Sequence, residues 1–236
     1  MSSAPRWVEA INKALGHPDN KGKIIYQIAT VDTNGQPRVR SQVHRGFMEP
    51  DGHPELPILV TSTDARTPKV GQLHSHQRTE LAWWMEGSQD QFRISGITHI
   101  FPSPAQGAPG NGPTPIADEA IALKLLQNSG FDWEAKRKET FDGMKPGMRA
   151  SWAIPYPPGT FLPSYDEQKK WPKEVPLEQD AKTDEDKKNI DFAFRNFALM
   201  LFEPVQVDWV ALGVHPNQRI KFTRDEGVWI EQQVVP

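Results

Sequence analysis

A chain of 236 residues is long enough to fill one domain or two small ones, and mainly β or α+β barrels commonly use this length as one unit. Its 27 Lys and Arg against 30 Asp and Glu leave a formal charge of −3, so no basic field draws a polyanion and nucleic acid is not an expected partner. The absence of cysteine removes disulfides, thiolate catalysis and Cys-based metal sites. The opening MSSAPRWVEA has no apolar signal core and no run of ~18 apolar residues follows, so a cytoplasmic protein with no membrane partner is expected, one domain over residues 1–236.

Trp7, Val8, Ile11 and Leu15 recur at helical spacing, predicting a short amphipathic helix over 5–15 with Ser3 as cap, lying on the core as a lid. From residue 24 the pattern changes to strands. KIIYQIATVD and PRVRSQVHRGF flank TNGQ, an Asn-Gly hairpin signal, and LPILVTS is a third strand followed by a helix from about Thr67 to His76. TELAWWMEG and QFRISGITHIF form a second hairpin around residues 87–90, and AWWM offers an apolar contact surface. Residues 102–115, rich in proline and glycine, read as a loop, and 116–127 as a helix with Pro115 at its start. Residues 155–190, proline-rich and then charge-rich, read as a long surface excursion. FALMLFEP, VDWVALG, QRIKFTR and VWIEQQVV are the last strands. About eight short strands with inserted helices predict a compact, mostly antiparallel barrel of mixed α+β class.

TSTDARTPK at 61–69 places four hydroxyls, a carboxylate and two cations directly after an apolar strand. Thr67 and Lys69 fall at the start of the following helix, where free N–H groups and the positive dipole end favour an anion such as phosphate. Arg38 and Arg40 share one strand face, whereas Arg45 falls on the other, so one compact anion takes all three only if the strand bends. Gln91 opens a hairpin strand, and its amide can both donate to and accept from a heterocycle edge. Trp209 and Arg219 stand ten residues apart across a turn containing His215, Pro216 and Asn217.

In order and spacing these positions resemble the pyridoxamine 5′-phosphate oxidase-like family of FMN-binding split barrels, in particular its branch of FMN-dependent enzymes. The resemblance spans residues 24–101 and 197–236, with a weak match at MRASWAIPYPPG between them. It implies that Arg40, Thr67 and Lys69 hold the phosphate of FMN, that Thr63, Arg45 and Gln91 lie nearer the ribityl chain and isoalloxazine, and that Trp209 and Arg219 complete a cleft shared by two subunits of a homodimer. The family's Ser-Arg-Lys reads Thr67-Pro68-Lys69 here, losing an Arg at Pro68. Arg66 either takes that place or only pairs with Asp64. Substrate contacts fall on His215 and Asn217, where the oxidase has Arg and His, and on Arg149 and Ser151, the remnant of an Arg-Pro-Arg-Asp-Ser run.

Taken singly, each signal has a plain alternative: a solvated strand face for Arg38 and Arg40, an ordinary helix start for Thr67-Pro68, core or interface packing for Trp83, Trp84 and Trp209. His74 and His76, two apart on a helix, diverge and have no carboxylate cluster, so no metal site is expected. No nucleophile elbow, dinucleotide loop or Walker sequence occurs, and QGAPGNGP has too much proline for a phosphate loop. The resemblance implies an FMN-dependent oxidoreductase acting on a small molecule, with no evident catalytic acid or base and without efficient pyridoxine 5′-phosphate oxidation. A non-catalytic flavin-binding or sensor protein, or a barrel that holds haem or another ligand, stays open beside it.

Overall fold

The computed structural model describes residues 3–104 and 113–236. Nine strands form one antiparallel sheet in the order β2-β1-β5-β6-β7-β4-β3, with β8 added to β7 and β9 to β8. The strands are β1 (Ile25–Val31), β2 (Pro37–Val43), β3 (Gly46–Met48), β4 (Ile58–Asp64), β5 (Arg78–Met85), β6 (Asp90–Phe101), β7 (Phe197–Ala211), β8 (Gln218–Asp225) and β9 (Val228–Gln233). Six α-helices accompany them: α1 (Arg6–Leu15), α2 (Pro68–Ser75), α3 (Ile121–Asn128), α4 (Trp133–Asp142), α5 (Pro146–Ala150) and α6 (Asp184–Asn196).

The split of the barrel lies in β7. This strand is continuous through FALMLFEP and VDWVA, and β6 pairs it along nearly its whole length. On its other edge β7 changes partner: residues 197–202 pair β4, and residues 206–211 pair β8. Pro204 sits at the change, where its missing N–H breaks the ladder without leaving an unpaired donor. Opposite it, the register of β6 slips between Ser95 and Gly96. Gly96 is required there, because a Cβ would stand 2.3 Å from the Glu203 carbonyl oxygen.

Three apolar clusters follow from this topology. The first fills the barrel with Trp7 and Ile11 of α1, Tyr26, Ile28, Leu81, Trp83, Phe92 and Phe202. The second packs α3 against the other side of β4 and β7, and the third gathers Phe141, Trp152, Val175 and Phe197 among α4, α5 and α6. Alternation in β5 buries Trp83, whose indole donates to the Lys23 carbonyl, and leaves Trp84 45% exposed. Of the AWWM aromatics, only Trp84 is on the surface.

The helix expected over 116–127 begins later, at Ile121, and Pro115 does not start it. No side chain of its own caps it. The fully buried Glu203 carboxylate accepts the amides of Ala122 and Leu123 and pairs with Arg224 at 2.7 Å, a cap supplied from a strand eighty residues away. Residues 155–190 are not a plain excursion either, since α6 starts within them under a capping box of Thr183 and Asp186. Most of the loop expected over 102–115, including QGAPGNG of the QGAPGNGP run, lies outside the described residues.

Candidate functional site

The last residues of β4 and the first turn of α2 form a polar cradle beside β2. Arg40 and Gln42, two apart on β2, face the same side, over β1. Arg40 reaches across to α2. One Nη donates to Thr30 Oγ1 at 2.7 Å and the other to Gln72 Oε1 at 2.8 Å. Lys69 points back, its Nζ 2.9 Å from Thr63 Oγ1 and 3.4 Å from Gln42 Oε1. The Gln42 amide is held in turn by Thr61 Oγ1 and the Ser62 carbonyl. Thr67 caps the helix by position only: its hydroxyl donates to the Asp64 carbonyl at 2.9 Å, and no side chain caps the first amides of α2.

The electrostatics of this arrangement are unusual. Burial and the neighbouring Arg40 push the Lys69 ammonium down to about 8, and burial alone lowers Arg40 and Arg45. Among the described residues none of the three forms an ion pair with a carboxylate. Their partners are hydroxyls, primary amides and carbonyls, and the buried Arg45 Nε has no hydrogen-bond partner. Asp64 is near enough to favour the Lys69 charge but forms no ion pair with it, and a concentration of partly desolvated positive charge of this kind is chemically suited to an anion.

The strand does bend at Arg45. β2 ends at Val43 and β3 begins at Gly46, which takes φ +126°, so Arg45 sits at a break with its amide on the Val60 carbonyl. Arg66 is committed elsewhere. Its guanidinium grips Asp64 at 3.0 and 2.7 Å, donates to the Ile154 carbonyl at 2.9 Å and lies over the Phe192 ring. It braces the turn, with Nε, Nη1 and Nη2 each donating one hydrogen bond to a protein group. The turn is tied further through Asn196, whose carbonyl accepts the Ala65 amide and whose side chain donates to the Trp152 carbonyl. The Trp152 indole closes the ring on the Thr63 carbonyl at 3.1 Å.

The remaining candidates lie apart from the cradle within one chain. Gln91, Val210 and Arg219 are register neighbours across β6, β7 and β8, so Gln91 and Arg219 share a face. Trp209, one residue from Val210, points to the opposite face, stacks on Phe92 and donates to Asp90 Oδ1 at 2.8 Å. Arg219 holds Asp208 through two hydrogen bonds and, with Arg93, keeps that carboxyl below its ordinary range. Arg219 and Trp209 line separate clefts, neither of which includes Lys69 or Arg40. His215 and Asn217 are exposed in the β7–β8 loop.

Arg149 is buried, and its donors go to the carbonyls of Val175, Asp142 and Met144, while the Ser151 hydroxyl returns to the Met148 carbonyl. The Arg149 guanidinium therefore knits α4, α5 and the following loop together.

Sequence reasoning missed Gln42, Gln72, Thr30 and Thr61, which orient the cations. Strand parity with Arg40 was the available signal for Gln42; nothing in the sequence pairs Gln72 with Arg40, thirty-two residues away.

Residues 4–102 match the family model described as pyridoxamine 5′-phosphate oxidase, FMN-binding domain. A curated relative, pyridoxine/pyridoxamine 5′-phosphate oxidase 2 of Arabidopsis thaliana, is 32% identical over 74 residues, covering 31% of this chain and 35% of the relative. The chain thus matches about a third of that relative's length. Among solved structures, a pyridoxamine 5′-phosphate oxidase-related, FMN binding protein from Nostoc punctiforme PCC 73102 superposes with a TM-score of 0.69 at 24% identity, covering 100% of both chains. PhzG from Burkholderia lata 383 superposes with a TM-score of 0.57 at 12% identity, over 98% of this chain and 89% of that one. The sheet that splits at Pro204 is accordingly the split-barrel fold of these proteins, and residues 4–102 are similar to the FMN-binding domain of pyridoxamine 5′-phosphate oxidase.

Proposed function

We propose that the cradle of Arg40, Thr67 and Lys69 holds the phosphate of FMN and that the chain is an FMN-dependent oxidoreductase acting on a small molecule other than pyridoxine 5′-phosphate. One observation carries the cofactor reading: Lys69 is largely and Arg40 and Arg45 are partly withdrawn from water, and among the described residues no carboxylate forms an ion pair with them. The donor set fits a phosphate monoester, with two cations, the Thr67 and Thr63 hydroxyls and the uncapped first turn of α2. When bound, FMN supplies the electron transfer. The chain's own residues bind and orient it. Gln72 and Gln42 fix the two cations without neutralising them, and the ring of contacts through Trp152 and Asn196 keeps the turn rigid.

Thr63, Arg45 and Gln91 are assigned to the ribityl chain and the ring system. Gln91, Arg219 and Trp209 stand outside the cradle of their own chain, which supports a homodimer in which the partner subunit supplies part of the cleft. Light scattering across concentrations is expected to give twice the chain mass. A monomer that still binds FMN tightly overturns the shared cleft. No helix among the described residues is long and apolar enough to cross a membrane, and a cysteine-free chain suits a cytoplasmic site of action.

Two measurements test the reading. The purified protein should show flavin absorption bands, and FMN-loaded protein should be reduced rapidly by NADPH or NADH. Indifference to both donors would favour a flavin-binding protein without turnover.

Affinity should also depend on pH in a stated direction. A phosphate binds the protonated Lys69, so affinity falls as pH rises above about 8, by at most about tenfold per unit. On the acid side the second ionisation of the phosphate, near about 6, strengthens binding as pH rises to 7. Fluorescence titrations are expected to place the optimum between the two, with riboflavin flat across the range.

A further inference from the structure

We propose that the cleft walled by Tyr156, Leu162 and Trp171 binds a neutral aromatic small molecule. Its volume is about 500 Å³, the size of a small-ligand pocket, and it is built entirely from residues 151–171. No Asp, Glu, Lys, Arg or His lines it, so a charged ligand would lose its water and gain no counterion there. Tyr156 and Trp171 present converging rings, with centroids 6.2 Å apart and planes tilted by 56°, a geometry that offers faces and edges to an inserted ring. Leu162 and Ile154 supply apolar wall, and Gln168 supplies an amide able to donate and accept.

The cleft is shaped before anything enters it. Prolines at 157, 158 and 163 fix the backbone around it, and Gly159 makes the turn at φ +93°. Its base is fastened to the cradle. The Ile154 carbonyl accepts from Arg66, and the Trp152 indole donates to the Thr63 carbonyl, so the wall and the Lys69 turn form one braced unit. The role as substrate subsite beside the flavin rests on the FMN reading of that cradle; the capacity to bind an aromatic molecule does not.

The test is a fluorescence titration with N-phenyl-1-naphthylamine, a neutral aromatic probe, on the full chain with and without FMN. Saturable binding of one probe per chain is expected in both forms. Leu162→Asp and Trp171→Ala should each weaken it by about tenfold or more, with FMN affinity, read from flavin absorbance, unchanged. Both side chains are only half-buried at the cleft, so neither variant empties the core. A signal that never saturates, or one that both variants leave intact, overturns the proposal. Probe binding in a protein that takes up no FMN would sustain the cleft and overturn the flavin reading alone.

Discussion

FMN-loaded protein is expected to oxidise pyridoxine or pyridoxamine 5′-phosphate about 10²- to 10⁴-fold less efficiently, in kcat/KM, than an oxidase with the full substrate cradle. The factor corresponds to about 3–6 kcal/mol of transition-state binding, the loss of two charge-assisted contacts. By resemblance, the oxidase carries Arg and His six and eight residues beyond its C-terminal Trp. Counted from Trp209, those places hold His215 and Asn217. A guanidinium offers a fixed fork of five donors and a permanent charge, whereas a neutral imidazole offers one donor. Arg149, the other candidate for the substrate phosphate, already serves three backbone carbonyls. Formation of pyridoxal 5′-phosphate is the readout. A kcat/KM near about 10⁴ M⁻¹s⁻¹, the lower end of ordinary enzymes, would show that this turn has been misread.

Lys69→Ala should weaken FMN binding about 10- to 100-fold, because a charge-assisted hydrogen bond to phosphate contributes about 1.5–3 kcal/mol. Riboflavin, lacking the phosphate, should be nearly insensitive, and equal losses for both ligands would remove Lys69 from the phosphate site. The same variant should flatten the alkaline limb of the pH profile, since that limb is the deprotonation of Lys69. Gln42→Glu gives an independent check on the electrostatics. It keeps the shape of the side chain but sets a carboxylate against Lys69 Nζ, where the amide oxygen now stands at 3.4 Å. FMN affinity should fall although no cation has been removed.

Much of this architecture was legible because its signals are local. Asn34-Gly35 fixes the β1–β2 hairpin, with Gly35 at φ +75°, and Pro68 marks the start of α2 within a residue. Trp7, Val8 and Ile11 set the buried face of α1. These features depend on backbone preferences and on the periods of strand and helix, which neighbouring residues alone express. The cluster Arg40, Thr63, Thr67 and Lys69 was also legible, since strand parity and a helix start put its members on predictable faces.

What escaped the sequence is the set of contacts that cross it. α4 (WEAKRKETFD) carries charge on nearly every side and shows no apolar stripe; Asp132 caps its start, but what docks it is Arg137, buried against the carbonyls of Phe194 and Phe197. α3 starts where Glu203 caps it, not where Pro115 suggests. In one dimension Arg66 has two readings and Arg149 looks like a free cation. In three, Asp64 and the Ile154 carbonyl claim the first, and three backbone carbonyls claim the second. The sequence by itself determined the barrel, its hairpins and the cations available at the end of β4. The tertiary structure alone decided which of those cations stay without a counterion, because pairing depends on groups brought within ~3 Å from distant strands, and one-dimensional spacing carries no record of that distance.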